Sequence, residues 1–215
     1  MHHQSDPSYT AHAARQREHI LSVAETLFIR KGMNNVSMSE IASESGMMRS
    51  TLNKYFKDVD KILWEIQHRK MVIWGEALQE RFSEVTTTYQ RYEVFLQCLL
   101  ESFEVRPKNI LFLSVFSDQY QVGSVYSNTG TYEQVFNPGD FGSKDTVKIL
   151  MENFHDGSMR ADLDPKETAV TITYSAFGLL ISYVKANWSL PIKYQIETKQ
   201  LAKNAFDLML RGLRA

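Results

Sequence analysis

From Arg49 to Lys57 the chain gathers Arg49, Ser50, Thr51, Asn53, Lys54, Tyr55 and Lys57, a set rich in hydrogen-bonding groups and positive charge. Wound as a helix, the stretch puts Ser50, Asn53, Lys54 and Lys57 on one face, with Arg49 and Thr51 at its edges. That surface holds three cations and no acid. Lysine and arginine neutralise phosphates, while serine, threonine, asparagine and arginine present groups that read base edges. Met48, Leu52, Tyr55 and Phe56 fall on the other side and read as core-facing. The chemistry on offer is recognition by contact, with a nucleic acid as the polyanion that fits. A solvated face of a small amphipathic helix has the same composition, so the flanking elements decide between the two.

Ser37 is placed to N-cap a preceding helix, its hydroxyl accepting from an orphan backbone N–H. Glu40, three residues on, completes a capping box, and Val36 with Ile41 supplies the hydrophobic staple. Small Ala42 lets a second helix cross closely. Gly46 stands where the chain must leave this helix, and a short glycine-containing turn is what joins the two helices of a helix-turn-helix. Upstream, Ile20, Ala24, Leu27 and Phe28 recur at helical spacing. Gly32 ends that helix after Arg30 and Lys31, whose charges complement its dipole. Downstream, Asp58 or Asp60 starts another helix. The segment is a three-helix unit with its own small core.

Three stretches in register, Ile20-Leu21-x-x-Ala24-x-x-Leu27-Phe28-x-x-x-Gly32, Ser37-x-x-x-Ile41-Ala42-x-x-x-Gly46 and Ser50-Thr51-Leu52-x-x-Tyr55-Phe56-Lys57, resemble the DNA-binding domain of the tetracycline-repressor (TetR) family. The resemblance covers about residues 15 to 63 without gaps. It implies a homodimeric bacterial transcription regulator, usually a repressor released by a small molecule. By position it implies phosphate contacts for Ser37, Thr51, Tyr55 and Lys57, and base reading for Arg49, Ser50, Asn53 and Lys54. Two positions depart from the family pattern. Met48 stands where Ser or Thr usually caps the recognition helix, and Asn53 stands where Tyr is usual. Asparagine can pair bidentately with adenine, so base preference does not carry over from relatives.

Composition sets the frame. The 215 residues are 43% apolar, enough for one or two domains with sizeable cores, and the formal net charge is −1. A near-neutral chain that binds DNA does so through one local face, with salt-sensitive affinity. Cys98 is the single cysteine and sits in an apolar run, so it reads as a buried, inert thiol. The absence of any intrachain disulfide fits a reducing bacterial cytoplasm. No apolar stretch reaches the ~20 residues needed to span a bilayer, so no membrane partner is expected. Residues 1 to 14, with His2, His3 and His12, read as a flexible arm rather than a metal site. No P-loop, dinucleotide turn, nucleophile elbow or paired metal ligands appear, so neither an enzyme nor a bound cofactor is expected.

The expected architecture is all-α. A helix-turn-helix DNA-binding domain takes residues 15–60, and a helical ligand-binding and dimerisation domain takes 61–215. Helices are predicted over about 60–82, 88–105, 108–120, 143–154, 165–188 and 194–213. The stretch 121–143, rich in Gly, Ser and Thr, reads as a loop or as a flap over a cavity. Trp64, Trp74, Phe95, Phe103, Phe112, Phe116, Tyr120, Phe154, Tyr174 and Phe177 are the aromatic candidates for the wall of an effector site, although aromatics at helical spacing more often form plain core. The resemblance implies a homodimer through 165–188 and 194–213, where Gly178 would permit close helix approach. The functional expectation is a repressor that binds a near-palindromic double-stranded operator and is released by a small apolar or aromatic effector. The competing expectation is an all-helical protein-binding adaptor that has lost specific DNA reading.

Overall fold

Helix α1 (Pro7–Lys31) carries its apolar stripe into a small core, where Ile20, Ala24, Leu27 and Phe28 are buried. The structure is a computed structural model that describes residues 7–119, 140–141 and 144–215. The helix begins at Pro7, so residues 7–14 are helical, not part of an arm as expected; proline is favoured in a first helical turn because its missing N–H would be unpaired there. A 3-10 turn (Met33–Asn35) follows Gly32, whose φ of 79° lets the chain turn off the helix end. Then come α2 (Met38–Glu44), α3 (Arg49–Tyr55) and α4 (Val59–Phe82).

Among the described residues, 7–67 and 115–119 form one compact unit, and 68–114 with 140–141 and 144–215 form a second, so the division falls inside α4 rather than at residue 60. In the first unit Met33, Val36, Met38, Ile41, Leu52, Phe56, Ile62, Leu63 and Ile66 join the α1 stripe in burial. Arg17 ties its helices together. The guanidinium pairs with the Glu65 carboxylate (Nε to Oε1 2.9 Å), donates to the Tyr55 carbonyl at 3.0 Å and lies 4.2 Å from the Phe56 ring centroid.

The second unit is built on α5 (Thr88–Val105), α6 (Pro107–Gln119, which continues into the first unit), α7 (Thr146–Met151), α8 (Pro165–Ala186), α9 (Leu190–Tyr194) and α10 (Thr198–Leu213). The only sheet among the described residues is a two-residue antiparallel ladder, with Asp140 opposite Asp145 and Phe141 opposite Lys144. The rest of the expected 121–143 loop lies outside the described residues, apart from these strand positions. The helix expected over 143–154 is confined to 146–151, because residues 152–158 turn to serve α5. The helix expected from 194 begins at Thr198; α9 holds 190–194 and ends at Gln195 in the left-handed region.

Phe95, Leu99, Leu150, Phe154, Ala169, Ala176, Leu180, Ala202 and Phe206 form the heart of this unit's core. The start of α5 is held twice. Thr87 and Gln90 make a reciprocal capping box, Thr87 Oγ1 accepting from Gln90 N at 3.3 Å and Gln90 Oε1 accepting from Thr87 N at 3.1 Å. Asp156 accepts from Thr88 N at 2.7 Å and from the Ser158 hydroxyl at 2.6 Å. Helix α8 starts as expected, with Asp164 accepting from Glu167 N at 2.8 Å and Pro165 at its first position. Contrary to the sequence expectation, α8 is long and apolar enough to cross a bilayer by length and composition. Its buried side nonetheless packs with α5, α7 and α10. Its outward positions 170, 174, 178 and 182 are exposed, and a Cβ added at Gly178 would meet nothing within 4 Å.

Partial burial alone would raise the Asp156 carboxyl, yet the Ser158 hydroxyl and the backbone N–H groups of Thr88 and Ser158 hold it down at about 2. A depressed carboxylate contributes stability in full above its ordinary value of 3.8 and loses it as pH falls toward about 2. Asp156→Asn should therefore be less stable than wild type at neutral pH in urea unfolding. The gap should close as the pH is lowered through that window.

Candidate functional site

The helix-turn-helix is assembled from backbone chemistry before any exposed side chain of its second helix is placed. Ser37 Oγ accepts from Glu40 N at 3.2 Å and caps α2. The Glu40 side chain does not return to the cap. It pairs with the Lys31 ammonium at the end of α1, which holds its carboxyl below the usual range. The expected reciprocal box is thus replaced by a clasp between α1 and α2, because the Lys31 ammonium takes the carboxylate. At the other end of α2, Gly46 has φ 67°, Gly46 N donates to Ser43 O, and Met47 N donates to Ala42 O, both at 3.0 Å. This paired pattern is a Schellman turn, and it aims the chain into α3.

In α3, Leu52 and Phe56 are buried and Tyr55 is half-buried. Met48 is not core-facing as expected. It is the N-cap, 77% exposed, and its side chain caps nothing. The reason is positional: at the cap the backbone is still extended (φ −72°, ψ 147°), so Met48 leaves the helical face that Leu52 and Phe56 share. A cap without Ser, Thr, Asp or Asn costs ~1 kcal/mol of helix stability.

Ser37, Arg49, Ser50, Asn53, Lys54 and Lys57 are all exposed, and Thr51 is half-buried. Arg49 Nη1 donates to Ser39 Oγ at 2.9 Å, which fastens the head of α3 to the start of α2. Ser39 was not singled out in the sequence; the signal available was its place two residues after the cap, on the exposed side of α2. The cations of α1 near this surface are engaged, Lys31 by Glu40 and Arg30 by Glu44 at 3.9 Å. No ion pair among the described residues engages Lys54 or Lys57. The unit therefore presents unneutralised charge on α3.

Most of the aromatic wall candidates are core. Phe95, Phe112, Phe116 and Phe154 are at most 3% exposed, and Phe177 is buried as well. Trp64 and Phe116 meet edge to face at 5.0 Å in the first unit. Tyr174 is half exposed on α8, and Tyr120 lies outside the described residues. Phe103 borders a minor hollow of about 330 Å³. Of the described candidates, Trp74 lines a groove of about 490 Å³ in the second unit, where α4 contributes Lys70, Ile73 and Ala77 and α5 contributes Glu101 and Val105. At one end of this groove Arg81 donates to Glu101 at 2.7 Å and to Cys98 Sγ at 3.4 Å. The hydrogen bond to Glu101 raises the Arg81 pKa, and burial pushes the Cys98 thiol up. Among the described residues no cluster of three metal-ligating side chains occurs.

A three-helix unit with a glycine-turned hairpin and a cationic second helix defines a helix-turn-helix protein. Residues 20–66 match the family of bacterial regulatory proteins of the tetR type. The chain is 31% identical over 75 residues to an uncharacterised HTH-type transcriptional regulator of Haemophilus influenzae, a match covering 35% of this chain and 40% of that protein. It is 29% identical over 99 residues to an HTH-type transcriptional regulator of Staphylococcus aureus, covering 46% and 53% respectively. The chain thus matches about half the length of these curated relatives. The structure of NalD, the secondary repressor of the MexAB-OprM multidrug efflux pump in Pseudomonas aeruginosa, superposes with a TM-score of 0.70 at 17% identity over 95% of this chain and 98% of that one. Residues 20–66 are thus a helix-turn-helix domain of the tetR family of bacterial regulatory proteins.

Arg17 supports the reading surface from behind, through Tyr55 and Phe56. Hydrogen bonds to charged groups contribute about 1.5–3 kcal/mol when well buried and less when partly exposed, as here. Arg17→Ala should lower thermal stability by about 1–2 kcal/mol, and Arg17→Lys should not restore it, because an ammonium lacks the planar fork. Melting curves of the three proteins check this.

Proposed function

We propose that the protein is a ligand-responsive repressor that binds a near-palindromic double-stranded operator as a homodimer and is released by a small effector with an apolar or aromatic body. The observation that carries the DNA reading is the exposed surface of α3, with Arg49, Ser50, Asn53 and Lys54, continued by exposed Lys57 just past the helix's extended C-cap, where no ion pair among the described residues engages Lys54 or Lys57. Recognition helices of such dimers enter the major groove at half-sites about 34 Å apart. In this reading Ser37, Thr51, Tyr55 and Lys57 position the phosphates, and Arg49, Ser50, Asn53 and Lys54 read bases. Met48 joins them, since an exposed thioether at the head of α3 can lie against a thymine methyl, an apolar contact a Ser or Thr cap would not make.

Dimerisation is supported by the outward face of α8, where Val170, Tyr174, Gly178 and Ser182 repeat every fourth residue, and by Leu208 on α10, which is 68% exposed. Small residues beside an aromatic suit close packing with a second copy. Gly178 has no close approach within its own chain, which fits a contact supplied from outside it. Effector release follows from linkage: a ligand that prefers a conformer with the wrong helix spacing weakens DNA binding by its differential affinity and no more. NalD, whose fold this chain shares, is itself a repressor, that of a multidrug efflux pump.

Selection from random duplexes should enrich a two-fold symmetric sequence. On that operator, Asn53→Ala and Lys54→Ala should each cost about 1–3 kcal/mol while leaving the melting temperature unchanged. Failure to enrich any symmetric sequence would favour the adaptor reading, and unchanged affinity would remove these residues from the reading set. Gly178→Lys tests the dimer separately. The monomer gains about 1 kcal/mol of helix propensity, whereas the α8 interface is blocked. Analytical ultracentrifugation should show a shift to monomer, and a dimer of undiminished strength would remove α8 from the interface.

A further inference from the structure

The head of α3 is held by a neutral group. Arg49, the first residue of the helix, donates from Nη1 to Ser39 Oγ at 2.9 Å, and both residues are exposed. An acid is the usual partner for an arginine, and α2 carries Glu40 and Glu44. Both are answered by cations of α1, Glu40 by Lys31 and Glu44 by Arg30. The hydroxyl therefore fixes the Arg49 guanidinium without cancelling its charge. A guanidinium is a planar fork of N–H donors, and bonding Nη1 leaves the adjoining Nε–Nη2 edge whole. Arg17, in the same unit, shows what such an edge does. Its Nη1 donates to the Tyr55 carbonyl while Nε and Nη2 together grip the Glu65 carboxylate. Arg49 has the same anchor through Nη1, and among the described residues no hydrogen bond or ion pair takes its Nε–Nη2 edge.

From this division of labour we infer that Ser39 sets base specificity through Arg49, by aiming the Nε–Nη2 edge at a guanine in the major groove of each half-site. Guanine presents O6 and N7 side by side there, an acceptor pair that a guanidinium edge matches bidentately. Adenine, thymine and cytosine offer no two adjacent acceptors on that edge. The paired oxygens of a phosphate fit the same fork, but the first residues of a recognition helix are the ones that meet base edges. A free arginine side chain must be ordered when it binds, and the Ser39 bond does part of that ordering beforehand. Ser39 touches no base in this assignment. It is a positioning residue, and the two helices of the hairpin read one base pair jointly. The assignment deepens the DNA reading above and rests on it.

The test is selection from random duplexes with the full chain as wild type, Arg49→Ala, Ser39→Ala, Ser39→Thr, and Ser39→Ala combined with Arg49→Ala. The wild-type half-site should hold a guanine whose preference Arg49→Ala abolishes while the other positions keep theirs. Ser39→Ala should weaken that same preference about three- to tenfold, the scale of one hydrogen bond, and leave the other positions unchanged. Ser39→Thr keeps a hydroxyl and should retain the preference. In the Arg49→Ala background, Ser39→Ala should add nothing, since the two act as one. Melting temperatures should not fall with Ser39→Ala, because the residue is exposed and alanine is the better helix former. A loss spread evenly over all sequences, with a salt slope lower by about one, would make Arg49 a phosphate contact and overturn the proposal. So would an Arg49-dependent position that is not guanine, or additive losses in the double variant. Failure to enrich any two-fold symmetric sequence sinks the DNA reading itself, whereas an enriched operator indifferent to Ser39→Ala sinks the positioning role alone.

Discussion

The guanidinium of Arg17 is the interaction on which the reading surface rests. One planar group serves three partners at once: it pairs with Glu65 on α4, bonds the Tyr55 carbonyl at the end of α3, and covers the Phe56 ring. The Tyr55 carbonyl is one of the orphan acceptors at a helix C-terminus, so a cation there also meets the negative end of the α3 dipole. Arginine alone provides this combination, because its fork geometry is fixed while its face stacks on aromatics. The short recognition helix is thereby held at its C-terminal end by charge, and at its N-terminal end by the Schellman turn and the Arg49–Ser39 bond.

Charge is distributed so that a chain of net charge −1 can still present a cationic surface. Cations that support the fold are matched, Lys31 with Glu40, Arg30 with Glu44 and Arg81 with Glu101. Those of α3 are not. Pairing the first set removes long-range repulsion from the domain, and leaving the second unpaired confines attraction for a polyanion to one face.

Much of this was legible in advance, and the failures have identifiable causes. The Ile20-Ala24-Leu27-Phe28 stripe, the Ser37 cap and Gly46 are local signals, and the structure places each as its chemistry requires. The Asp164-Pro165 start of α8 was equally local. The Glu40 box failed because Lys31, nine positions earlier, competes for the same carboxylate, and sequence windows do not rank distant partners. Met48 failed because helical periodicity does not extend to a cap residue. The groove was not foreseen, since Lys70, Trp74, Val105 and Arg106 meet only when α4 and α5 pack. The aromatic candidates, chosen by residue type, turned out mostly to be core, where large apolar rings are most stabilising.

Helix α3 has only seven residues and no side-chain cap, well short of the ~12–15 at which isolated helices become even marginally stable in water. Its existence is therefore borrowed from the burial of Leu52 and Phe56 and from the contacts at its two ends. A helix on loan cannot fray independently of its lender. Its backbone amides should open to solvent only as the first unit opens, with hydrogen exchange governed by that unit's cooperative unfolding rather than by local breathing. Substitutions anywhere in that core, remote from the exposed side chains of α3, then lower the fraction of molecules in which that helix is present at all.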